Sequence, residues 1–149
     1  MRVFHLLHLA HSTLFKASNR ALQQQEGITA IQSAVLFILM TKDGRPVSNI
    51  AHELKLEKSS LTTLIDRMEK LNLVRREKSL EDARLSNVFI LDAGKSIAVR
   101  AAKSTQLTNK LLLSPFSPSD QKVIEKILHH ISNNSEKVIQ SINVSDTKK

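Results

Sequence analysis

The chain has 149 residues, which suits one domain of ordinary size with a hydrophobic core of its own. It contains no cysteine, and this excludes disulfides, thiolate metal sites, cysteine nucleophiles and thiol-based redox sensing. Twenty-two Lys and Arg against fourteen Asp and Glu give a formal net charge of +8, which indicates a polyanionic partner, although such a balance can also serve solubility alone.

Neither a membrane span nor a base-stacking surface is indicated. The longest apolar run, Ala34 to Met40, falls far short of the ~20 residues that a membrane-spanning helix needs. Histidines interrupt the apolar segment VFHLLHLAH at 3–11, which continues as an amphipathic pattern and does not end as a signal sequence would. We therefore expect a soluble cytoplasmic protein with no membrane partner. Because the chain has five Phe and no Trp or Tyr, duplex DNA is favoured over single strands and RNA.

Most of the first fifty residues repeat apolar positions with a helical period. Residues 2–25 are predicted to form a long helix that ends before Gly27. Thr29 followed by Gln32 is a capping box that begins a second helix, and its all-apolar run predicts a central position in the fold. After the turn KDGRP, Ser48 is predicted to cap a short helix, NIAHELK.

The segment EKSSLTTLIDRMEK at 57–70 combines a helical period with many hydroxyls. The period places its apolar residues on one side of a helix: Leu61, Leu64, Ile65, Met68 and Leu71. The opposite side carries hydroxyls and charges: Ser59, Thr62, Thr63, Asp66, Arg67 and Lys70. Such a helix can bury one side in its own domain and offer donors and acceptors to base edges and phosphates on the other. The alternative is an ordinary solvated face.

Beyond this helix the apolar residues follow a period of two, which is typical of strands. Leu73–Glu77 and Asn87–Leu91 are predicted to form a hairpin whose long tip is the polar segment KSLEDARLS at 78–86.

Two more helices are predicted to complete the chain. One runs from Ala93 to Leu113, and the last follows Ser117 as N-cap and ends near Asn143. The tail SDTKK is expected to fray. Since no repeat or long linker divides the chain, we predict a single domain over 1–149.

Two patterns concern partners and ligands. His5, His8 and His11 lie three residues apart, so a pair could share a metal, but no acid accompanies them and a contact with another helix is favoured. The terminal segments 2–25 and 105–143 carry more apolar residues than one small domain can cover. A homodimer is the simplest solution, and packing of the two ends on each other is the alternative. We find no set of acid, base and nucleophile, so no catalytic residue, metal or cofactor is predicted.

A short helix, a turn, a helix with a polar outer face and a β-hairpin form the layout of a winged helix-turn-helix. With the long terminal helices, this order resembles the MarR family of bacterial transcriptional regulators over residues 3–143. The resemblance is carried by VSNIAHELKLEKSSLTTLIDRMEKLNLVRRE at 47–77, ITAIQ at 28–32 and Asp82-Ala83-Arg84 in the wing. The predicted fold class is mainly α with a small β-hairpin wing, in which residues 28–92 form the DNA-binding module.

Several positions depart from the family's pattern. Asn72 stands where the family usually has Gly, and Asn is the next best residue at positive φ. Lys55 replaces the common turn glycine, and Glu57 replaces the usual Ser, Thr or Asp cap. Ser79 and Ala83 stand where charged residues are frequent in the wing, so its contact with DNA could be weaker.

The resemblance implies a repressor or activator that binds a palindromic operator in double-stranded DNA as a homodimer. The residues predicted to bind DNA are Ser48, Lys58, Ser59, Ser60, Thr62, Thr63, Arg67, Lys70, Arg75, Lys78, Asp82 and Arg84. Arg84 is expected to enter the minor groove, with Asp82 orienting its side chain, and an ordinary salt bridge within the loop is the other interpretation of this pair. The alternative is a winged-helix module that binds an acidic protein without operator specificity.

The resemblance also implies a small aromatic or anionic ligand between the terminal helices and the DNA-binding module. An apolar cleft near the first, second and fifth helices is expected to hold it, with Ala34–Met40 as one wall.

Overall fold

A computed structural model describes residues 2–78 and 86–146, with side chains as far as residue 142. Its elements are α1 (Val3–Glu26), α2 (Ala30–Thr41), β1 (Arg45–Pro46), α3 (Val47–Glu53), α4 (Lys58–Lys70), β2 (Val74–Lys78), β3 (Ser86–Ile90), α5 (Asp92–Leu113) and α6 (Pro118–Asp146). The predicted fold class, mainly α with a small β wing, is confirmed. The chain divides into two compact units, Met1–Thr105 and Gln106–Lys149, and the single-domain organisation stays a prediction.

The predicted helix boundaries at α1 and α2 are confirmed to within a residue. Gly27 follows α1 at a φ of 68°, and its N–H donates to the Gln23 carbonyl. The Thr29 and Gln32 side chains form the predicted capping box of α2. Leu36 and Leu39 are completely buried, as expected for a central helix, whereas Met40 at the end of the run is half exposed.

The sheet contains a third strand that the sequence analysis missed. The strand order is β1-β3-β2, and both pairs are antiparallel. The turn KDGRP ends in β1, which pairs with β3 through Arg45 opposite Val88. The Asp43 carboxylate accepts hydrogen bonds from the N–H groups of Gly44, at 3.0 Å, and Ile90, at 2.9 Å. A turn aspartate therefore ties this short edge strand to β3.

The start of α3 differs from the prediction, and the turn between α3 and α4 contains a residue at positive φ. α3 begins at Val47 with Pro46 as N-cap, so Ser48 lies in the first turn and does not cap the helix. The predicted Ser48 cap was wrong because the helix begins earlier than its composition indicated. Glu57 makes no side-chain cap to α4. Lys55 and Asn72 both adopt positive φ, at 54° and 55°, so the positive φ predicted for Asn72 after α4 is confirmed.

The core of the first unit collects the apolar faces of α2, α3, α4 and the sheet. Its largest fully buried side chains include Ile28, Leu36, Ile50, Leu61, Ile65, Met68, Val74 and Val88. Leu71 was predicted to join them but is 51% exposed, because α4 has ended and Leu71 is its C-cap. Gly94 lets α5 approach the sheet closely, since a Cβ there would lie 2.3 Å from the Leu73 carbonyl oxygen.

The second unit contains the end of α5 and α6. Ser117 caps α6 as predicted: its hydroxyl accepts from the Asp120 N–H at 3.2 Å, and its own N–H donates to the Asp120 carboxylate. α6 continues to Asp146, three residues beyond the predicted end near Asn143, and the fraying of the tail stays a prediction. The remaining tail lies outside the described residues. Apolar side chains stay exposed along α6: Val123, Ile127, Leu128, Val138, Ile139 and Ile142.

Candidate nucleic-acid interface

α4 separates a buried face from a polar face in the way its sequence predicts. Leu61, Ile65 and Met68 are fully buried. The polar positions are exposed or, at Thr62, half-buried: Lys58, Ser59, Ser60, Thr62, Thr63, Arg67 and Lys70. Six of these seven predicted contacts are thus open to solvent along one helix. The surface is suited to a groove of duplex DNA because it combines short hydroxyls with long cations.

The two threonine hydroxyls use their hydrogens within the helix. Thr62 Oγ1 donates to the Lys58 carbonyl at 2.8 Å, and Thr63 Oγ1 donates to the Ser59 carbonyl at 3.2 Å. A hydroxyl has one hydrogen and two lone pairs, so these oxygens remain available only as acceptors. Both threonines therefore offer acceptors to a partner.

Three charged side chains join α4 to β2; we call Arg76, Glu69 and Asp66 the Arg76 cluster. Glu69 Oε1 accepts from the Arg76 backbone N–H at 2.8 Å, and Glu69 Oε2 accepts from Arg76 Nε at 2.8 Å. Arg76 Nη2 also lies 2.7 Å from Glu69 Oε2 and donates to Asp66 Oδ1. Partial burial opposes the charge of Arg76, but the hydrogen bonds to Glu69 and Asp66 outweigh it and raise the pKa of the guanidinium.

Sequence reasoning missed Arg76. The nearest signal was Asp66 on the otherwise basic, hydroxyl-rich face of α4, with a second acid, Glu69, three residues further along the helix.

Two predicted contacts lie on the wing strand β2, and both are exposed. The Arg75 guanidinium lies 5.0 Å from the centroid of the Phe89 ring and pairs with Glu77. Lys78 is the last residue of β2.

Ser48 is exposed in the first turn of α3. Asp82 and Arg84 lie outside the described residues, so their predicted roles stay predictions.

A cavity of about 660 Å³ lies beside α4, and its lining includes Arg67 and Lys70 from the polar face of that helix. α1 contributes Phe15, Lys16, Asn19 and Gln23; the start of α2 and its cap contribute Thr29, Ile31 and Gln32; α4 and its end contribute Leu64, Arg67, Lys70 and Leu71, with Gly27 between them. No lining residue belongs to α5 or to Ala34–Met40, so this is not the predicted cleft. The core side of that run is filled by packing, because Val35, Leu36, Ile38 and Leu39 are buried against other core residues.

Among the described residues, the lining of this cavity combines three cations, Lys16, Arg67 and Lys70, with apolar side chains and includes no carboxylate. Polar contacts also hold its wall in place, since Asn19 Oδ1 accepts from the Ala30 N–H at 3.0 Å. The charge pattern suits an anion with an apolar body.

The N-terminal histidines His5, His8 and His11 all lie on α1. The His11 ring stacks on Phe15, with ring centroids 5.5 Å apart. Over residues 2–78 and 86–146, no cluster of three His, Cys, Asp or Glu side chains is placed to hold a metal ion. Among these same residues, no helix is long and apolar enough to cross a membrane.

The α3–turn–α4 pair followed by the antiparallel sheet defines a winged helix-turn-helix protein. Residues 28–86 match the family model described as the MarR family. The HTH-type transcriptional regulator MgrA of Staphylococcus aureus is 31% identical over 101 residues, which are 68% of this chain and 67% of that protein. The chain belongs to the MarR family.

Two further likenesses differ in extent. The HTH-type transcriptional regulator TtmR of Methylorubrum extorquens is 31% identical over 83 residues, 56% of this chain, and the match spans only 43% of TtmR. The crystal structure of the S. aureus MepR–DNA complex superposes with a TM-score of 0.83 at 18% identity, covering 90% of this chain and 98% of that one. At that identity the likeness shows the fold.

Proposed function

We propose that this chain is a sequence-specific regulator of transcription that binds double-stranded DNA through α4. One observation carries the proposal: the helix buries Leu61, Ile65 and Met68 completely while it exposes hydroxyls, Arg67 and Lys70 on the other side. The net charge of +8 supports attraction to phosphates. MgrA and TtmR are named as transcriptional regulators, and MepR was crystallised with DNA. No catalytic role is proposed, since the family consists of regulators.

The regulator acts as a homodimer on a palindromic operator, with one α4 in each half-site. Exposed apolar side chains on α1, such as Phe4 and Leu9, and on α6, such as Ile127 and Ile139, support a second copy as their partner. Two copies of α4 would read half-sites one helical turn apart, at ~34 Å.

Selection from a random-sequence duplex pool tests operator binding. We expect the full chain to enrich an inverted repeat, and to bind it ~10³-fold or more tightly than an unrelated duplex at the same salt concentration. An acidic-protein adaptor with a winged helix would enrich no sequence and bind all duplexes equally weakly. That result would replace the proposed function with this alternative.

A small anion with an apolar body modulates the regulator by binding the cavity between α1, α2 and α4. The volume of about 660 Å³ lies in the range of small-molecule sites. Arg67 and Lys70 belong both to the cavity lining and to the exposed face of α4. A bound carboxylate would therefore draw the same cations away from phosphates or bases, and ligand and DNA would compete.

Calorimetric titration with benzoate and salicylate, against the neutral amides of the same shape, tests this site. We expect the acids to bind and to weaken operator binding, and the amides to do neither. Lys16→Gln should weaken binding of the acids, whereas Arg20→Gln, an exposed change on α1 outside the lining, should not. Equal binding of acids and amides would contradict the proposed role of the cations.

A further inference from the structure

We propose that Arg76 is a positioning residue, which fixes the direction in which the wing leaves α4. The inference rests on the proposed DNA-binding function, because it assigns to the Arg76 cluster the task of holding two DNA-binding elements in one arrangement. Neither Arg76 nor Glu69 belongs to the set of residues predicted to bind DNA.

The geometry attaches β2 to α4 through both main chain and side chain. β2 is an edge strand of the sheet, since the order is β1-β3-β2. An edge strand has N–H groups without a strand partner, and Glu69 Oε1 accepts the one from Arg76 at 2.8 Å. Glu69 Oε2 meanwhile accepts from Arg76 Nε, at 2.8 Å. Because one carboxylate binds both the main chain and the side chain of Arg76, the orientation of β2 relative to α4 is more restricted than a single hydrogen bond would make it.

Asp66 adds a second attachment one turn earlier on α4. Its carboxylate accepts from Arg76 Nη2, so the planar guanidinium joins two acids three residues apart on the same helix. A guanidinium keeps its donors in a fixed plane, whereas a lysine ammonium would act as a point charge. The plane of the Arg76 guanidinium therefore fixes the direction of β2 relative to α4.

The charge of the two acids provides a sharp test of this role. Asp66 and Glu69 are partly exposed, with 47% and 31% of their side chains accessible, on the helix that is proposed to approach phosphates. Removing a negative charge there should tighten DNA binding if the acids act only through their charge. A positioning role predicts the opposite change for the operator, because the wing would lose its alignment.

Glu69→Gln separates the two effects. The amide oxygen can still accept the Arg76 N–H, but the amide nitrogen cannot accept from the guanidinium. The matched control is Glu53→Gln, which makes the same charge change and breaks the ion pair with Arg45 at 2.7 Å. The probes are the duplex that the unmodified chain enriches from a random pool and one duplex of unrelated sequence.

We expect Glu69→Gln to weaken binding to the enriched duplex about tenfold, which is the scale of one mismatched base pair, with no loss on the unrelated duplex. Glu53→Gln should not weaken binding to either duplex. Arg76→Lys, which keeps the charge but not the planar fork, should behave like Glu69→Gln. If Glu69→Gln binds the enriched duplex as tightly as Glu53→Gln does, or more tightly, Arg76 does not position the wing.

A second measurement works without DNA. The chain has no cysteine, so Ser59→Cys and Lys78→Cys place spin labels on α4 and at the end of β2 without background labelling. We expect the interlabel distance distribution to broaden with Glu69→Gln and to stay unchanged with Glu53→Gln. An unchanged distribution with Glu69→Gln contradicts the inference. If the unmodified chain enriches no duplex, the proposed function fails, and this measurement still decides whether Arg76 orients β2.

Discussion

At the scale of single residues, the hydroxyl hydrogens of Thr62 and Thr63 determine what these side chains can recognise. Both hydrogens are directed at backbone carbonyls of the preceding turn. The outward-facing lone pairs can accept from the exocyclic amino groups of adenine or cytosine in the major groove. Arg67 has the complementary chemistry, because a guanidinium donates to guanine O6 and N7.

Alanine substitution at these two positions should therefore relax base preference in different ways. We expect Thr63→Ala to lose preference for adenine or cytosine, and Arg67→Ala to lose preference for guanine, at a cost of ~1 to 3 kcal/mol for each lost base contact. Repeating the duplex selection with each variant measures the change. Thr13→Ala and Arg20→Ala on α1 are matched controls, and an unaltered selected sequence in both test variants would refute direct readout by α4.

At the scale of elements, the end of α1 is attached to α5 by an ion pair. Arg100 Nε lies 3.0 Å from both Glu26 oxygens, and Arg100 Nη2 lies 2.6 Å from Oε2. The hydrogen bond from Arg100 lowers the pKa of Glu26 below its ordinary value of 4.5, although desolvation opposes the shift. A carboxyl whose pKa is lower in the folded chain than in the unfolded one stabilises the fold where it is ionised.

The free energy of unfolding should therefore depend on Glu26 over a defined pH range. Its contribution is complete above the unfolded value of 4.5 and is lost as the pH falls through the lowered folded pKa. We expect Glu26→Gln to reduce the free energy of unfolding at neutral pH and to have no effect in more acidic solution. Urea titrations at both pH values measure this difference. Glu57→Gln, which makes the same charge change at an exposed side chain without a cap hydrogen bond, is the control and should leave the free energy of unfolding at neutral pH nearly unchanged.

The wing is the second element whose role can be tested directly. Arg84 lies in the segment between β2 and β3 and is predicted to enter the minor groove, where the negative potential is enhanced. We expect Arg84→Ala to weaken operator binding, to lower the salt slope by about one unit per half-site and to leave thermal unfolding unchanged. Asp82→Ala should have the same effect in milder form. Binding with unaltered affinity and slope would leave readout to α4 alone.

At the scale of the whole molecule, the apolar residues of the terminal helices predict self-association. Ile127 on α6 is 50% exposed, and Asn133 is exposed on the side of the same helix away from the described apolar side chains. We expect the unmodified chain to sediment as a dimer at micromolar concentration, and Ile127→Lys to shift it toward monomer and weaken operator binding. Asn133→Lys adds the same charge on the side of α6 where the described residues expose no apolar side chain, so it should stay dimeric. A monomeric unmodified chain that binds the operator at full affinity would rule the dimer out.

Local patterns in the sequence predicted most of the elements and the polar face of α4. The capping box at Thr29, the cap at Ser117 and the positive φ of Asn72 each depend on neighbours a few residues away. The burial of Leu61, Ile65 and Met68 follows from helical spacing alone. These features were predictable because a backbone period or a cap needs no knowledge of distant residues. The exposure of the polar residues on the other side of α4 follows from the same spacing, and their contact with DNA stays a prediction.

Tertiary structure decided the features that join distant segments. β1 is too short to show a strand period, and it exists because Arg45 and Pro46 pair with β3, more than forty residues away. The cavity lies beside α4 because α1 and the start of α2 supply the rest of its lining, whereas Val35, Leu36, Ile38 and Leu39 are buried in the core. In the sequence alone, nothing distinguishes Arg76 from the other Lys and Arg residues expected at the surface. Only the fold of β2 back onto α4 places it between Glu69 and Asp66, since ion pairs depend on distance in space and leave no period in the chain.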